Sequence, residues 1–397
     1  MSQATWKTAE LGELGTILTG STPPTKNSEY FNGKVPFVSP SDLGKRKYIT
    51  EAQRTLSELG AREAQCIPTG SVLVTCIGST IGKIGIAATP LATNQQINSL
   101  IPNQMACSEF VFYQLQRLAP LLRKLAGCQA VPIINKSTLS SIAIKLPSLI
   151  EQNKIAEILT CWDKAIELVE KLIEEKTRLS KGLARDLLLG KKRLRQFSKP
   201  WVESHIGDLL EPIDRYVEWD DDATYKLVSI RRRAGGMFMR ESLKGADILT
   251  KTLKTTSSGD FVIARMQVVH GAMAITPPEL NGAHVSDSYV TCTSKDPYRL
   301  KTEFFGYLAT LPQLWNIALL SSHGVSIEKM TFDLRTFFKH KVKVPTDTAE
   351  QCAIVEFLDV MNKELIALKS YQDHLIQQKR GLMQQLLTGK KRVAVEN

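Results

Sequence analysis

The sequence predicts an α+β protein built from two similar halves, each a globular segment of mixed strand and helix followed by one long helix. Three observations predict it. The chain repeats itself when shifted against its own sequence, the repeated stretch spaces its apolar residues as a coiled coil does, and the stretches between carry short β-rich runs separated by turn residues.

Residues 151–194 align without a gap on 350–393, an offset of 199 (350 − 151). Glu151-Gln152 falls on Glu350-Gln351, Ile155 on Ile354, Leu159 on Leu358, Lys164 on Lys363, and Gly190-Lys191-Lys192-Arg193 on Gly389-Lys390-Lys391-Arg392. Each copy reads as one helix of about 40 residues, hence ~60 Å at ~1.5 Å per residue. Ser148 and Asp347 stand where N-caps belong, with Glu151 and Glu350 three residues later completing a capping-box pattern. Inside the first copy Ile155, Leu159, Trp162, Ile166, Val169 and Ile173, then Leu183 and Leu187, fall on alternating four- and three-residue steps. The second gives Ile354, Leu358, Met361, Leu365, Leu368, Leu375, Leu382 and Leu386. Lys176, Ser180, Gln372 and Lys379 interrupt these seams, either selecting a register or marking a solvated stretch. Gly190 and Gly389 suit helix C-terminal caps, and the basic residues after them complement the negative end of the helix dipole. A shorter echo sets Trp6…Leu11-Gly12-Glu13-Leu14 against Trp201…Ile206-Gly207-Asp208-Leu209 at an offset of 195 (201 − 6).

The first globular segment is punctuated by Gly20-Ser21-Thr22-Pro23-Pro24, Asn32-Gly33 and Ser39-Pro40, with β-rich runs at 35–38 and 71–77 and a helix over 108–125. The second places strands near 226–230, 260–269 and 289–293 and a helix near 301–311. Beyond their openings the two segments share little sequence. A duplicated scaffold with diverged modules points to one architecture making two different recognitions.

The chain has 397 residues, 43% of them hydrophobic, and a formal charge of +11 that no tail concentrates. Polyanionic partners met by folded surfaces are expected. No apolar run reaches the ~18 residues of a membrane span. Met1 to Glu10 lacks the basic-then-apolar layout of a secretory signal, so a cytoplasmic protein with no membrane partner is expected. The seven cysteines (Cys66, Cys76, Cys107, Cys128, Cys161, Cys292, Cys352) never form Cys-x-x-Cys and read as ordinary reduced thiols.

Catalytic signatures are missing. The adenine-methyltransferase tetrapeptide, Asn or Asp before Pro-Pro and an aromatic, does not occur; the Pro-Pro pairs precede Thr25 and Glu279. Gly78-x3-Gly82-Lys83-Ile84 is one residue short of a phosphate loop and puts Ile84 where Ser or Thr is needed, so a tight turn bringing Lys83 to a phosphate is the preferred reading. The six histidines show no metal spacing. No catalytic and no metal site is expected.

Were the polyanion a nucleic acid, residue chemistry would select the candidate contacts, since Arg and Lys serve phosphate or guanine while Asn and Gln can pair with adenine. They are Lys45, Arg46, Lys47, Lys83, Asn94, Gln95 and Gln96 in the first segment, and Arg231, Arg232, Arg233, Arg240, Lys244, Arg265 and His270 in the second. The competing readings are a solvated charged face for the basic runs and turn capping for Asn94-Gln95-Gln96. Three successive arginines cannot share one face of a strand, whereas a loop would free all three.

Several stretches carry a family resemblance. Trp6…Leu11-Gly12-Glu13-Leu14, Gly20-Ser21-Thr22-Pro23, Tyr30-Phe31-Asn32-Gly33-Lys34-Val35-Pro36-Phe37, the 77–85 run, Thr93-Asn94-Gln95-Gln96-Ile97-Asn98 and both helices ending Gly-Leu-x3-Leu-Leu-x-Gly-Lys-Lys-Arg resemble the specificity (S) subunit of type I restriction-modification systems. The second segment offers Gly235-Gly236-Met237-Phe238 and Val285-Ser286-Asp287-Ser288-Tyr289 but lacks the Gly-x-Thr-Pro opening. The resemblance implies target-recognition domains at 1–147 and 195–345, a central spacer helix at 148–194 and a C-terminal helix with basic tail at 346–397. The helices would pair as an antiparallel coiled coil in a pseudo-two-fold repeat, with each domain reading half of a split, asymmetric DNA site. It further implies double-stranded DNA, two methyltransferase (M) subunits and two restriction/motor (R) subunits as partners. S-adenosylmethionine would sit on the M subunits and no cofactor on this chain. Two other classes compete: a DNA-acting enzyme working alone, methyltransferase or nuclease, and a coiled-coil scaffold that binds no DNA.

Overall fold

In a computed structural model of the chain, residues 6–127, 130–324 and 330–394 are described; Cys128 and the chain ends lie outside them. The helices that position the site are α1 (Ser108–Leu125), α2 (Leu149–Leu188), α3 (Thr302–Leu308) and α4 (Thr348–Leu386). The chain divides into two units: Met1–Lys171 with Ser370–Asn397, and Leu172–Lys369. Each unit therefore holds one globular segment, one half of α2 and one half of α4.

Unit 1 has a five-stranded sheet in the order Gly15–Thr19, Ile97–Pro102, Val72–Thr75, Ile84–Ala87, Tyr48–Ile49, antiparallel except at the last pair. Side chains alternate across it: Val72 and Val74 join Phe110, Val111 and Tyr113 of α1, while Leu73 joins Val38, Leu43 and Ile49 on the other face. A sheet covered on both faces explains why Val72-Leu73-Val74 are apolar in succession rather than alternating with polar residues. A second sheet orders Arg54–Leu56, Phe31–Val38, Ala92–Thr93, and Lys7–Glu10 pairs antiparallel with Ala143–Leu146 just before α2.

Unit 2 repeats the plan with different sheets. One orders Leu210–Pro212, Tyr289–Ser294, Phe261–Ala264, Met273–Ile275; the other Met237–Lys244, Thr224–Ile230, His284–Ser286, Leu253–Thr255. Phe261 and Ile263 face α3 while Val262 and Ala264 face the second sheet. Trp201–His205 pairs antiparallel with Lys341–Pro345 just before α4, the counterpart of the first pairing in unit 1.

The long helices begin as the sequence expects in part. Ser148 Oγ accepts the Glu151 amide at 3.3 Å and Asp347 Oδ1 accepts the Ala349 amide at 3.0 Å. The reciprocal half of each capping box is absent, because the glutamate carboxylates are engaged elsewhere. Gly190 and Gly389 take φ of 66° and 75°, the left-handed turn that ends a helix. In unit 1 Lys379 of α4 ion-pairs with Asp163 of α2, and Arg392 beyond α4 binds Glu151 at the start of α2. In unit 2 Lys176 of α2 pairs with Glu364 of α4, and Arg193 beyond α2 binds Glu350. Within each unit the helix halves thus run antiparallel, and two of the seam interruptions, Lys176 and Lys379, are ion-paired across them.

Every apolar seam residue is buried or half-buried, but the seams do more than face each other. Ile155, Leu159 and Leu386 lie in the core of unit 1 with Phe110 and Tyr113, and Leu187, Ile354 and Leu358 in that of unit 2 with Phe304 and Phe305. Trp162, Ile166, Val169, Leu183, Met361, Leu365, Leu368 and Leu382 are half-buried. Full burial of each terminal Ile or Leu is worth roughly 2 kcal/mol, so the helix ends fasten the globular segments.

Candidate nucleic-acid interface

The loop from Ser39 to Lys47 leaves the strand Phe31–Val38 and carries the first basic cluster. Asp42 closes its first turn, accepting from the Ser39 amide and hydroxyl at 2.8 and 2.7 Å. Lys45 and Arg46 are exposed; the Arg46 to Glu51 ion pair, at 3.3 Å in open solvent, leaves Arg46 able to exchange onto phosphate at little cost. Lys47 is different. The sequence groups it with its neighbours, but its ammonium turns inward and donates to Tyr113 Oη at 3.1 Å and Thr160 Oγ1 at 2.7 Å, lying 4.7 and 5.1 Å from the rings of Tyr48 and Tyr113. Burial pulls its pKa down, against the opposing pull of Asp163 and Glu109.

Lys83 is also committed, its ammonium donating to Pro40 O at 3.1 Å, so its charge braces the same loop. Asn94 and Gln96 are half-buried and bond each other, Asn94 Nδ2 to Gln96 Oε1 at 3.0 Å and Gln96 N to Asn94 Oδ1 at 3.1 Å: a turn-capping arrangement. Gln95 is exposed and accepts from Thr22 Oγ1 at 2.7 Å, which sets the Gly20–Pro24 opening beside it. The Asn94 amide bonds Val38 O where the basic loop begins, at 3.1 Å, so the two candidate clusters of unit 1 are neighbours.

In unit 2 the three arginines fall in the turn between Thr224–Ile230 and Met237–Lys244, and all three are exposed. Arg231 stacks over Phe238 at 4.1 Å, and Arg232 Nε donates to Gln267 Oε1 at 2.6 Å. The Arg233 and Ala234 amides donate to His270 O and Gly271 O at 2.7 and 2.9 Å. Arg231–Arg233 are thus brought against the 265–271 segment, which holds Arg265 and His270, both half-buried. Arg240 and Lys244 are exposed farther along the strand, Arg240 paired with Glu241. Gln267 and Phe238 order the arginines; neither was among the candidate contacts read from the sequence, where Phe238 appears only in the Gly235-Gly236-Met237-Phe238 resemblance.

The same contacts recur at the helix ends of both units. Gln152 Nε2 donates to Met105 O and Pro147 O while its Oε1 accepts the Cys107 amide; Gln351 does the same with Arg299 O, Pro345 O and the Lys301 amide. Trp6 packs edge-on to Phe110 and beneath Gly389, as Trp201 does to Phe304 and Gly190. Tyr113 reaches Thr160 and Asp163, and Tyr307 reaches Asp359 and Asn362, which are the same two helix positions at the offset of 199. Aligning Phe110-x2-Tyr113 with Phe304-x2-Tyr307, an offset of 194 (304 − 110), exposes this pairing in sequence. Burial pushes the Tyr113 and Tyr307 hydroxyls up, and the carboxylates they donate to hold the protons on.

Among the described residues no group of His, Cys, Asp or Glu could hold a metal ion, and no helix is long and apolar enough to cross a membrane. The six described cysteines are free, and burial pushes Cys76 up to about 11 and Cys292 up to about 12.

Two globular units built on antiparallel helix halves, with matched clamps and unlike polar loops, define a duplicated recognition scaffold. Residues 3–177 match the family model of the type I restriction modification DNA specificity domain. The chain is 29% identical over 224 residues to the type I restriction enzyme MjaIX specificity subunit of Methanocaldococcus jannaschii, covering 52% of each chain. It is 35% identical over 193 residues to the HindI specificity subunit of Haemophilus influenzae, covering 46% of this chain and 40% of that one. The alignments thus span about half the length of these relatives. A solved type I S subunit from M. genitalium shares the fold with a TM-score of 0.59 and 14% identity, over 98% of this chain and 97% of that one. Over residues 3–177 the chain is similar to the DNA specificity domain of type I restriction-modification systems, and the curated relatives it resembles are specificity subunits of such systems.

Proposed function

We propose that this chain is the DNA sequence-specificity subunit of a type I restriction-modification complex. In this reading each unit recognises half of a bipartite, asymmetric site and the chain directs adenine-N6 methyltransferase and restriction subunits to it. The observation that carries the proposal is the combination of identical clamps with dissimilar polar surfaces: Glu151–Arg392 and Glu350–Arg193 repeat the scaffold, while the loop with Lys45 and Arg46 has no counterpart in the turn with Arg231–Arg233. Duplication of the frame with divergence of the polar loops suits two different half-sites read by one chain.

The chain acts without catalysis of its own in this reading, working in the cytoplasm and binding no cofactor, with S-adenosylmethionine carried by two M subunits and DNA translocation and cleavage by two R subunits. Domain limits of 1–147 and 195–345 with helices between and after them are retained as part of the proposal. Lys45, Arg46, Gln95, Arg231, Arg233, Arg240 and Lys244 keep exposed side chains for phosphate or base contact.

The test is to co-express the chain with a cognate methyltransferase subunit and map modified bases across the host genome. N6-methyladenine confined to a two-part motif with a fixed gap is the expected result. A stable complex that methylates no such motif would refute sequence specification by these units.

A further inference from the structure

Lys47 ends the loop that carries Lys45 and Arg46, yet faces the opposite way. Its ammonium joins three elements of unit 1: it donates to Tyr113 of α1 and Thr160 of α2, and Tyr113 donates in turn to Asp163, which also receives Lys379 of α4. Lys379 lies 5.2 Å from the Tyr113 ring, on which Lys47 also borders. Glu109 of α1 stands nearby, taken by the Tyr48 hydroxyl at 3.0 Å. Asp42 and Lys83 hold the beginning of the loop and Lys47 holds its end, leaving Lys45 and Arg46 suspended between fixed points.

Unit 2 serves as an internal control. There Tyr307 bonds the same two helix positions, Asp359 and Asn362, and the position matching Lys379 at the offset of 199 is Ser180. A tyrosine docked on the long helix therefore completes this junction without a lysine. In unit 1 Lys47 is added to this junction, its half-buried ammonium satisfied by Tyr113 and Thr160, and it ties the end of the basic loop to α1 and α2.

We propose that Lys47 is a positioning residue: by anchoring to Thr160 and Tyr113 it holds Lys45 and Arg46 in place for phosphate contact and touches no DNA itself. The proposal rests on reading unit 1 as a DNA-binding body. By reciprocity, a shift of α2 or α4 in unit 1 would move this loop, and DNA bound at the loop would favour one arrangement of the helices.

The test is a double-mutant cycle on the full chain, measuring affinity for a mixed-sequence duplex across a salt series. Lys45→Met with Arg46→Met is expected to lower the salt slope by about 1.8, two phosphates at ~0.9 each. Lys47→Met is expected to weaken binding by roughly tenfold, the worth of a hydrogen bond to a charged group, in the wild-type background and to change nothing in the Lys45→Met/Arg46→Met background. Thr160→Val, which leaves the loop untouched, is expected to reproduce part of the loss with the same background dependence. An equal loss in both backgrounds would mark Lys47 as a separate contact or a general fold defect and overturn the proposal, as would no loss in the wild type. Wild-type chain showing no salt-dependent duplex binding would instead remove the parent reading, and this one with it.

Discussion

Arg392 grips Glu151 through two parallel hydrogen bonds, Nε to Oε1 at 2.6 Å and Nη2 to Oε2 at 2.7 Å, joining residues 241 apart in the chain. Arg193 and Glu350 form the same fork at 2.9 and 2.6 Å. Both glutamates are almost fully buried. The basic run after each helix-ending glycine, expected from the sequence to complement a helix dipole, thus supplies the partner of a buried carboxylate at the start of the other long helix. A planar guanidinium satisfies both carboxylate oxygens at once, which a lysine cannot.

Arg392→Ala should therefore cost about 3 kcal/mol, since removing one partner of a buried pair strands the other charge. Arg392→Lys should recover only part of it. Urea unfolding of the full chain checks both, and a loss under about 1 kcal/mol for Arg392→Ala would show that the Trp6 indole, which donates to Glu151 at 3.1 Å, suffices alone.

How much of this was legible in the sequence depends on whether the signal was periodic or three-dimensional. The offset of 199 and the seam spacing place α2 and α4 closely, because burial along a helix repeats every three or four residues. The helix expected over 108–125 runs Ser108–Leu125, and the strand expected at 289–293 runs Tyr289–Ser294. The strand expected across 260–269 stops at Ala264, because Val268–His270 forms a short 3-10 turn ending at Gly271, with φ of 72°. The loop contacts were less readable. Lys45, Arg46 and Lys47 are equivalent as letters; only the arrival of Tyr113 and Thr160 from distant elements separates the third from the others.

The thiols should divide by burial. Cys66 and Cys161 are exposed, whereas Cys76 and Cys292 are buried and held protonated well above neutral pH. Alkylation of the native chain at pH 8, read by peptide mass spectrometry, should label Cys66 and Cys161 and spare Cys76 and Cys292 until urea is added. Rapid native labelling of Cys292 would contradict its place in the core of unit 2.

Alkaline pH should weaken both junctions. The hydroxyls of Tyr113 and Tyr307 are raised above the ordinary value of 10.0, first by burial and then by Asp163 and Asp359. For an acid whose folded pKa is raised, the native state holds protons the unfolded chain has lost, so stability is fully present below about pH 10 and falls as pH rises beyond it. Tyr113→Phe with Tyr307→Phe should flatten that decline in a series of urea midpoints taken from pH 9 to 11, and an unchanged slope would place the alkaline loss elsewhere.

The turn bearing Arg233 and Ala234 stores strain that a substitution can release. Both residues have positive φ, 57° and 54°, with the Gly235 amide returning to Arg232 O at 3.2 Å, the arrangement of a type I′ turn that ordinarily takes Asn-Gly. A left-handed L-residue costs about 1 kcal/mol, so Ala234→Gly should stabilise the chain by about that much and leave DNA affinity and its salt slope unchanged. Arg233→Ala keeps the strained backbone but removes an exposed cation, and should lower the salt slope by ~0.9 if the guanidinium meets a phosphate. If Arg233 reads a base edge instead, the slope should hold while discrimination at one base pair of the second half-site relaxes by about 1–3 kcal/mol. Binding titrations over a salt series, paired with a library of duplexes varied one position at a time, separate the two contacts. An Arg233→Ala variant that alters neither quantity would remove Arg233 from the interface.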